Sequence, residues 1–219
     1  MIENYQNNKL LKPVFAAILA ALALVVGYVE IVWPVAPWLK LDFSEVVILA
    51  SFILIGFNHT LAVIVIRSVV RWLITANSTD VPFPFFGETV AIIASLTMVL
   101  LYMLFSKVFN NKKESQDSLK IQIIKDVIVA VIVTLLMTIF MVIINFFIVT
   151  PSFASQGAYP FFTSFVNSGK YDGLFGGGYL NYLIFIITLY GPFNLVKFAL
   201  CLTVFTLIKK PLFTAITIE

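Results

Sequence analysis

Residues 123–149 read IIKDVIVAVIVTLLMTIFMVIINFFIV, and from Asp126 onward this run carries no further charge before Val149. About 20 apolar residues are enough for an α-helix to cross the ~30 Å hydrocarbon core of a bilayer. A helix apolar on every side has no polar face to show to water, so this stretch reads as a membrane span. The rest of the chain agrees. Its 219 residues are 61% hydrophobic and only 11% charged, with a mean hydropathy of +1.03, well outside the composition of soluble domains. The expected fold class is an all-α integral membrane protein, one transmembrane domain over residues 1–219. Its six helices are expected at about 13–33, 44–55, 61–75, 87–109, 123–149 and 192–208.

The boundaries come from helix-breaking and polar residues. Pro13 suits the first turn of helix one, and Pro34 and Pro37 end it and favour extended backbone. Gly56 to Thr60 reads as the turn into helix three, and Ala76 to Phe86 as a loop rich in turn formers. Asn110 to Lys120 is the most hydrophilic stretch. Pro151 ends helix five, and the connection to Leu189 is long enough to be a lid, a binding loop or disorder. Within it, Leu180 to Tyr190 is apolar enough for an interfacial helix. Pro192 then opens helix six, Lys209 and Lys210 end it, and Pro211 stops it. The N-terminus has the basic-then-apolar order of a signal peptide, but Glu30 and Trp33 stand where a small-residue cleavage site belongs, so it reads as a retained helix. Lys9, Lys12, Lys107, Lys112, Lys113, Lys120, Lys209 and Lys210 fall on one side of a six-helix path, which the positive-inside rule makes cytoplasmic. Both termini are then cytoplasmic in a multi-pass protein of the plasma membrane.

Against this apolar background the polar residues stand out. Asn194 and Lys197, in Gly191-Pro-Phe-Asn-Leu-Val-Lys197, share one helical face. Groups of this kind avoid lipid and mark functional sites. Asn145 lies near the same end of helix five. Glu88, in the first turn of helix four, fits either the helix dipole or a ligand. Arg67 is open to a carboxylate partner or an anionic ligand, whereas Arg71 is expected to snorkel outward beside Trp72, and Lys40 to the interface. Asp42 and Glu45 read as caps of helix two. Tyr28, Trp33, Trp38 and Trp72 are candidate walls or lids. Ala16, Ala20, Ala23 and Gly27, with Ala17 and Ala21 beside them, form a small-residue stripe on helix one, suited to a partner helix or to packing within the chain.

Much chemistry is excluded. No glycine-rich loop ends in Gly-Lys-Ser/Thr, so the chain does not hydrolyse nucleotide itself. Gly176-Gly177-Gly178 follows no strand. One histidine, His59, and one cysteine, Cys201, rule out a histidine-rich or cysteine metal centre. No catalytic residue and no cofactor are expected. The formal charge of +3 gathers at membrane edges, which does not fit nucleic acid. Amides, one cation, carboxylates and aromatics at one outer depth describe a small-molecule pocket, with amide and ammonium suited to the edge of a heterocycle.

Trp38-Leu-Lys-Leu-Asp-Phe-Ser-Glu45 after a proline-rich turn, with Pro192-Phe-Asn-Leu-Val-Lys197 near the last helix, resembles the riboflavin-binding S components of bacterial energy-coupling factor (ECF) transporters. The resemblance implies the S-component fold and an outward vitamin pocket. It implies that amides at Asn145 and Asn194, with Lys197, bind the flavin ring, and that the loop after helix one gates access. It implies partners as well: a transmembrane T component, contacted by the alanine stripe, and two ATPase subunits. The chain departs from the family at Ala91, where an asparagine is frequent, and in its long connection between helices five and six. Pantothenate, pyridoxine, a thiamine precursor or folate is the alternative ligand. A stand-alone secondary carrier is the competing class, although no internal repeat supports it, and a membrane enzyme is the third.

Overall fold

The structure, a computed structural model, describes residues 11–75, 83–109, 119–154, 161–167 and 178–217. Its elements are α1 (Leu11–Gly27), β1 (Ile31–Trp33), β2 (Ala36–Leu41), α2 (Ser44–Ile55), α3 (Phe57–Thr75), α4 (Phe86–Phe109) and α5 (Leu119–Ile144). A π-helical turn, Asn145–Val149, carries α5 into α6 (Thr150–Ala154), and α7 (Phe161–Asn167) and α8 (Tyr179–Thr217) follow. Four helical runs are long and apolar enough to cross a membrane: Phe57–Thr75, Phe86–Phe109, Lys120–Ala154 and Tyr179–Lys210. The apolar helices α1 and α2 are shorter; at 1.5 Å per residue the 12 residues of α2 reach about 18 Å.

Several boundaries differ from the sequence-based expectation, for local physical reasons. Helix one stops at Gly27 instead of Trp33, because the extended bias of Pro34 and Pro37 becomes an antiparallel hairpin. In it Ile31 faces Leu41, Val32 faces Lys40 and Trp33 faces Ala36, with a bulge between Val32 and Trp33. The turn before helix three shrinks to Gly56, whose φ of 80° is in the left-handed region that glycine enters freely. Pro151 does not end helix five. A proline inside a helix lacks a donor and crowds the carbonyl four residues back, and the wider π-turn just before it makes room. Nor does Pro192 open helix six, since α8 runs unbroken from Tyr179, with Gly191 and Pro192 inside it, and past Pro211 to Thr217. Membrane helices tolerate proline where neighbours relieve the lost bond. Residues 76–82, 110–118, 155–160 and 168–177, which hold Asp80, Lys112, Lys113, Gly176 and Gly177, lie outside the described residues, as does Lys9.

Two apolar clusters organise the described residues. The larger gathers Ala20, Ile48, Val63, Met98, Val133 and Phe205 from α1, α2, α3, α4, α5 and α8. The smaller joins Ala36 of the hairpin to Phe146, Phe165, Tyr182 and Tyr190, and Trp33 sets its ring edge-on to Phe193 at 5.8 Å. The hairpin is thereby seated on α8. Ala16, Leu19, Ala20, Ala23 and Gly27 form the buried side of α1, packed on α2 and α3. Of the two readings of the alanine stripe, packing within the chain is the one seen at Ala16, Ala20 and Ala23, which are buried. The crossing is close there: a Cβ on Gly27 would come into van der Waals contact, 3.4 Å from the Ser44 Cβ. Ala17 and Ala21 face outward.

Candidate functional site

Where the hairpin re-enters the bundle, β2 ends at Leu41 and the next residue starts a chain of charged and hydroxyl groups. Asp42 Oδ1 accepts the Ser44 backbone N–H at 3.1 Å and also the Ser44 hydroxyl. Asp42 Oδ2 accepts from Lys197 Nζ at 2.8 Å. Arg67 Nη1 donates to Ser44 Oγ at 2.8 Å, and its Nη2 donates to Ser95 Oγ at 3.2 Å and to Ser68 Oγ at 3.4 Å. Ser95 Oγ donates in turn to Glu45 Oε1 at 2.7 Å. Four elements meet here: α2 brings Ser44 and Glu45, α3 Arg67, α4 Ser95 and α8 Lys197. Buried charges persist only when paired and hydrogen-bonded, and in this network serine hydroxyls relay between ions that do not touch.

Above it lies a second tier. Lys40 and Arg71 both donate to Glu30, at 2.6 and 2.8 Å, and Arg71 Nε stands 3.6 Å from Glu88 Oε1. Arg71 was expected to snorkel outward beside Trp72; it turns inward instead, because Glu30 and Glu88 offer charges that lipid does not. Lys40 is half-exposed. Asp42 lies in the turn outside the spanning helices. Burial alone would raise its carboxyl, but the Lys197 ammonium and the Ser44 hydroxyl outweigh burial and hold it well below the ordinary carboxylate range.

These groups wall a cavity of about 190 Å³. Its polar lining is Asp42, Glu45, Arg67, Arg71, Asn194 and Lys197, and Gly87, Val90, Ala91 and Ala94 of α4, Met141 of α5 and Phe193 and Phe198 of α8 supply the apolar part. Asn194 is buried and donates its amide N–H to the Tyr190 carbonyl at 2.8 Å. Three residues singled out from the sequence, Asn194, Lys197 and Arg67, meet at this cavity. Glu88 stands one ion pair away. Asn145 is buried at the start of the π-turn, donating to the Met141 carbonyl at 2.7 Å, and is not among the lining residues. Trp33 packs on Phe193, which does line the cavity, whereas Tyr28 and Trp38 are 44% and 66% exposed. Among the described residues no group of acids, histidines or cysteines is placed to hold a metal.

Asp42 and Glu45 are the site residues that sequence reasoning took for helix caps. Asp42 does bind the Ser44 N–H, but Glu45 turns into the cavity. Charge balance held the signal: an arginine as deep in an apolar helix as Arg67 requires counter-charges, and Asp42 and Glu45 were among the few carboxylates able to supply them.

Comparison with known proteins gives the arrangement a context. A search of curated proteins finds no match. A solved structure of the S component of a bacterial ECF transporter has the same fold, with a TM-score of 0.62 over 96% of this chain and 99% of that one, at 19% identity. Residues 11–209 match the family described as "ECF transporter, substrate-specific component". With its described apolar helices and a polar cavity among them, the chain belongs to that family, the substrate-binding S components of ECF transporters.

Proposed function

We propose that this chain captures a vitamin, riboflavin foremost, at the outer face of a bacterial plasma membrane. It would hand the vitamin to a transmembrane T component driven by two ATPase subunits, and would itself span the membrane six times with both termini cytoplasmic. One observation carries the reading: Asn194 and Lys197, expected to contact the ligand, line one cavity together with Asp42, the residue that follows the hairpin. An amide and an ammonium on one wall with Phe193 and Phe198 beside them suit a flat heteroaromatic ring with carbonyl and ring-nitrogen edges. At about 190 Å³ the cavity is smaller than the ~300–1,000 Å³ of ordinary small-molecule sites. Capture therefore requires the elements around the cavity to part and reseat. A neutral vitamin fits better than an acidic one, since the lining cations are already engaged: Lys197 faces Asp42, Arg71 faces Glu30 and Glu88, and Arg67 is held by Ser44, Ser68 and Ser95.

The test is direct. Protein purified from riboflavin-fed cells should be yellow, and riboflavin fluorescence should be quenched on titration into ligand-free protein. Failure to bind riboflavin, pantothenate, pyridoxine, thiamine precursors and folate alike would overturn vitamin capture. Uptake into liposomes by this chain without T component or ATPases would instead favour a stand-alone carrier.

A further inference from the structure

A second cavity, of about 400 Å³, runs between α5 and α8. It is larger than the polar one, and its lining is apolar apart from three threonines. Ala130, Thr134 and Ala199 form its recessed floor, and Val131, Leu195 and Leu207 stand exposed at its rim. Along α5 the lining runs from Ile123 to Leu135, about 18 Å at 1.5 Å per residue. That is close to half of the ~30 Å hydrocarbon thickness, the depth of one leaflet. Spread over this length, the volume gives a mean cross-section of about 22 Å². A helix about 10 Å across needs about 80 Å². The groove is therefore too narrow to admit a helix and suits a single unbranched hydrocarbon chain.

One end of this groove is basic. Asp126 of α5 pairs with Lys209 of α8, while Met141 and Asn194 meet at the polar cavity, so the two helices run antiparallel. Lys120, three residues before Ile123, and Lys210, three after Leu207, therefore continue the two groove faces to the same end. Both also stand at the limits of the apolar spans Lys120–Ala154 and Tyr179–Lys210, at the level where lipid headgroups begin. Lys120 is exposed. Asp126, the one acid of α5 and α8, is answered by Lys209 at 2.5 Å, so it does not repel an anion there. We infer that the groove holds an acyl chain of an anionic phospholipid whose phosphate headgroup is held by Lys120 and Lys210. A zwitterionic lipid would fill the groove equally but gain less from the lysines. A partner helix or a second copy of the chain can rest on the rim but cannot enter. The site is separate from the polar cavity and independent of what that cavity captures.

The experiment counts the lipids that the purified protein retains in native mass spectrometry, after incubation in detergent with an equal mixture of dioleoylphosphatidylglycerol and dioleoylphosphatidylcholine. The two share their acyl chains, so only the headgroup can discriminate. Each basic residue near an anionic lipid is worth about fivefold, and the wild type should retain one phosphatidylglycerol in preference by about tenfold or more. The double variant Lys120→Gln, Lys210→Gln should still retain a lipid but with a preference of about twofold or less. Ala199→Phe should fill the groove and remove the retained lipid of either kind. Thr203→Phe, at an exposed lining position, serves where Ala199→Phe fails to fold, as judged by thermal unfolding. Val25→Phe, on the exposed side of α1, should leave the count and the preference as in the wild type. No preference in the wild type, an undiminished one in the lysine variant, or an undiminished lipid count in folded groove variants overturns the proposal. So does a wild type that retains no lipid and flies as a dimer, which gives the groove to a second copy. Groove variants that keep their lipid but lose uptake in the complete transporter overturn it in favour of a partner helix.

Discussion

Lys197 of α8 holds Asp42 at the foot of the hairpin across 155 residues of sequence, at 2.8 Å. At that distance the pair attracts by about 6 kcal/mol for an effective dielectric of about 20. Desolvation offsets much of this, because the side chains are only 18% and 11% exposed. Removing one partner strands the other charge, which costs about 3–5 kcal/mol. Lys197→Met keeps most of the aliphatic stem and removes only the ammonium. At roughly 2–4 °C per kcal/mol for chains of this size, it should lower the midpoint of thermal unfolding by about 6–20 °C. Cys201 supplies the assay, since it is the only cysteine, is buried, and has its thiol 3.5 Å from the Asp42 carbonyl. A dye that fluoresces on reacting with thiols reports when this region opens. Asp42→Asn should cost a similar amount, and the double variant should recover a coupling of about 2 kcal/mol or more. A single-variant shift below about 2 °C, or a double variant whose loss equals the sum of the two singles, would refute the pair as a structural tie.

The same pair sets a pH dependence. Asp42 has a folded value below its ordinary one, so its contribution is complete above the unfolded value of about 3.9 and is lost as pH falls toward the folded value. The gap in unfolding temperature between wild type and Asp42→Asn, followed by tryptophan fluorescence, should stay constant from pH 8 to about pH 5 and shrink below about pH 4; a gap that instead narrows on going from pH 5 to pH 8 would contradict it. The two sides of α1 separate folding from partnership. Ala20→Trp forces an indole into a site 2% exposed and should destabilise by about 1–3 kcal/mol or more, whereas Ala17→Trp, on the outward face, should leave folding and binding intact and reduce uptake only in the complete transporter. Equal thermal stability of the two variants would place the packing face wrongly.

The membrane class was legible because it rests on a bulk property, the free energy of moving long apolar runs out of water, which runs such as Val127 to Val149 reveal on their own. Lys197 and Asn194 were legible for the converse reason: polar groups in lipid must face something. Pairing was harder to read. Asp42 and Glu45 sit where helix caps belong, and only the approach of α3, α4 and α8 turns them into partners of Arg67, Ser95 and Lys197. Prolines misled in the same way. Pro151 and Pro192 carry a strong local signal to break a helix, and whether a neighbouring helix or a π-turn relieves them depends on packing that local sequence does not encode. The alanine stripe had two readings of equal sequence content, and the internal one holds for Ala16, Ala20 and Ala23.

The unbroken course of α8 has a mechanical consequence. Its 39 residues amount to about 58 Å at 1.5 Å per residue, nearly twice the ~30 Å hydrocarbon thickness. This one strut carries Asn194 and Lys197 at the cavity and, 12 residues or about 18 Å further along, Lys209, whose ammonium grips Asp126 of α5 at 2.5 Å. A rigid rod turns a small rotation at one end into a displacement at the other. Any tilt of α8 at the cavity would strain the Lys209–Asp126 fastening about 18 Å away, so the two ion pairs, Lys197–Asp42 and Lys209–Asp126, are mechanically linked through one helix.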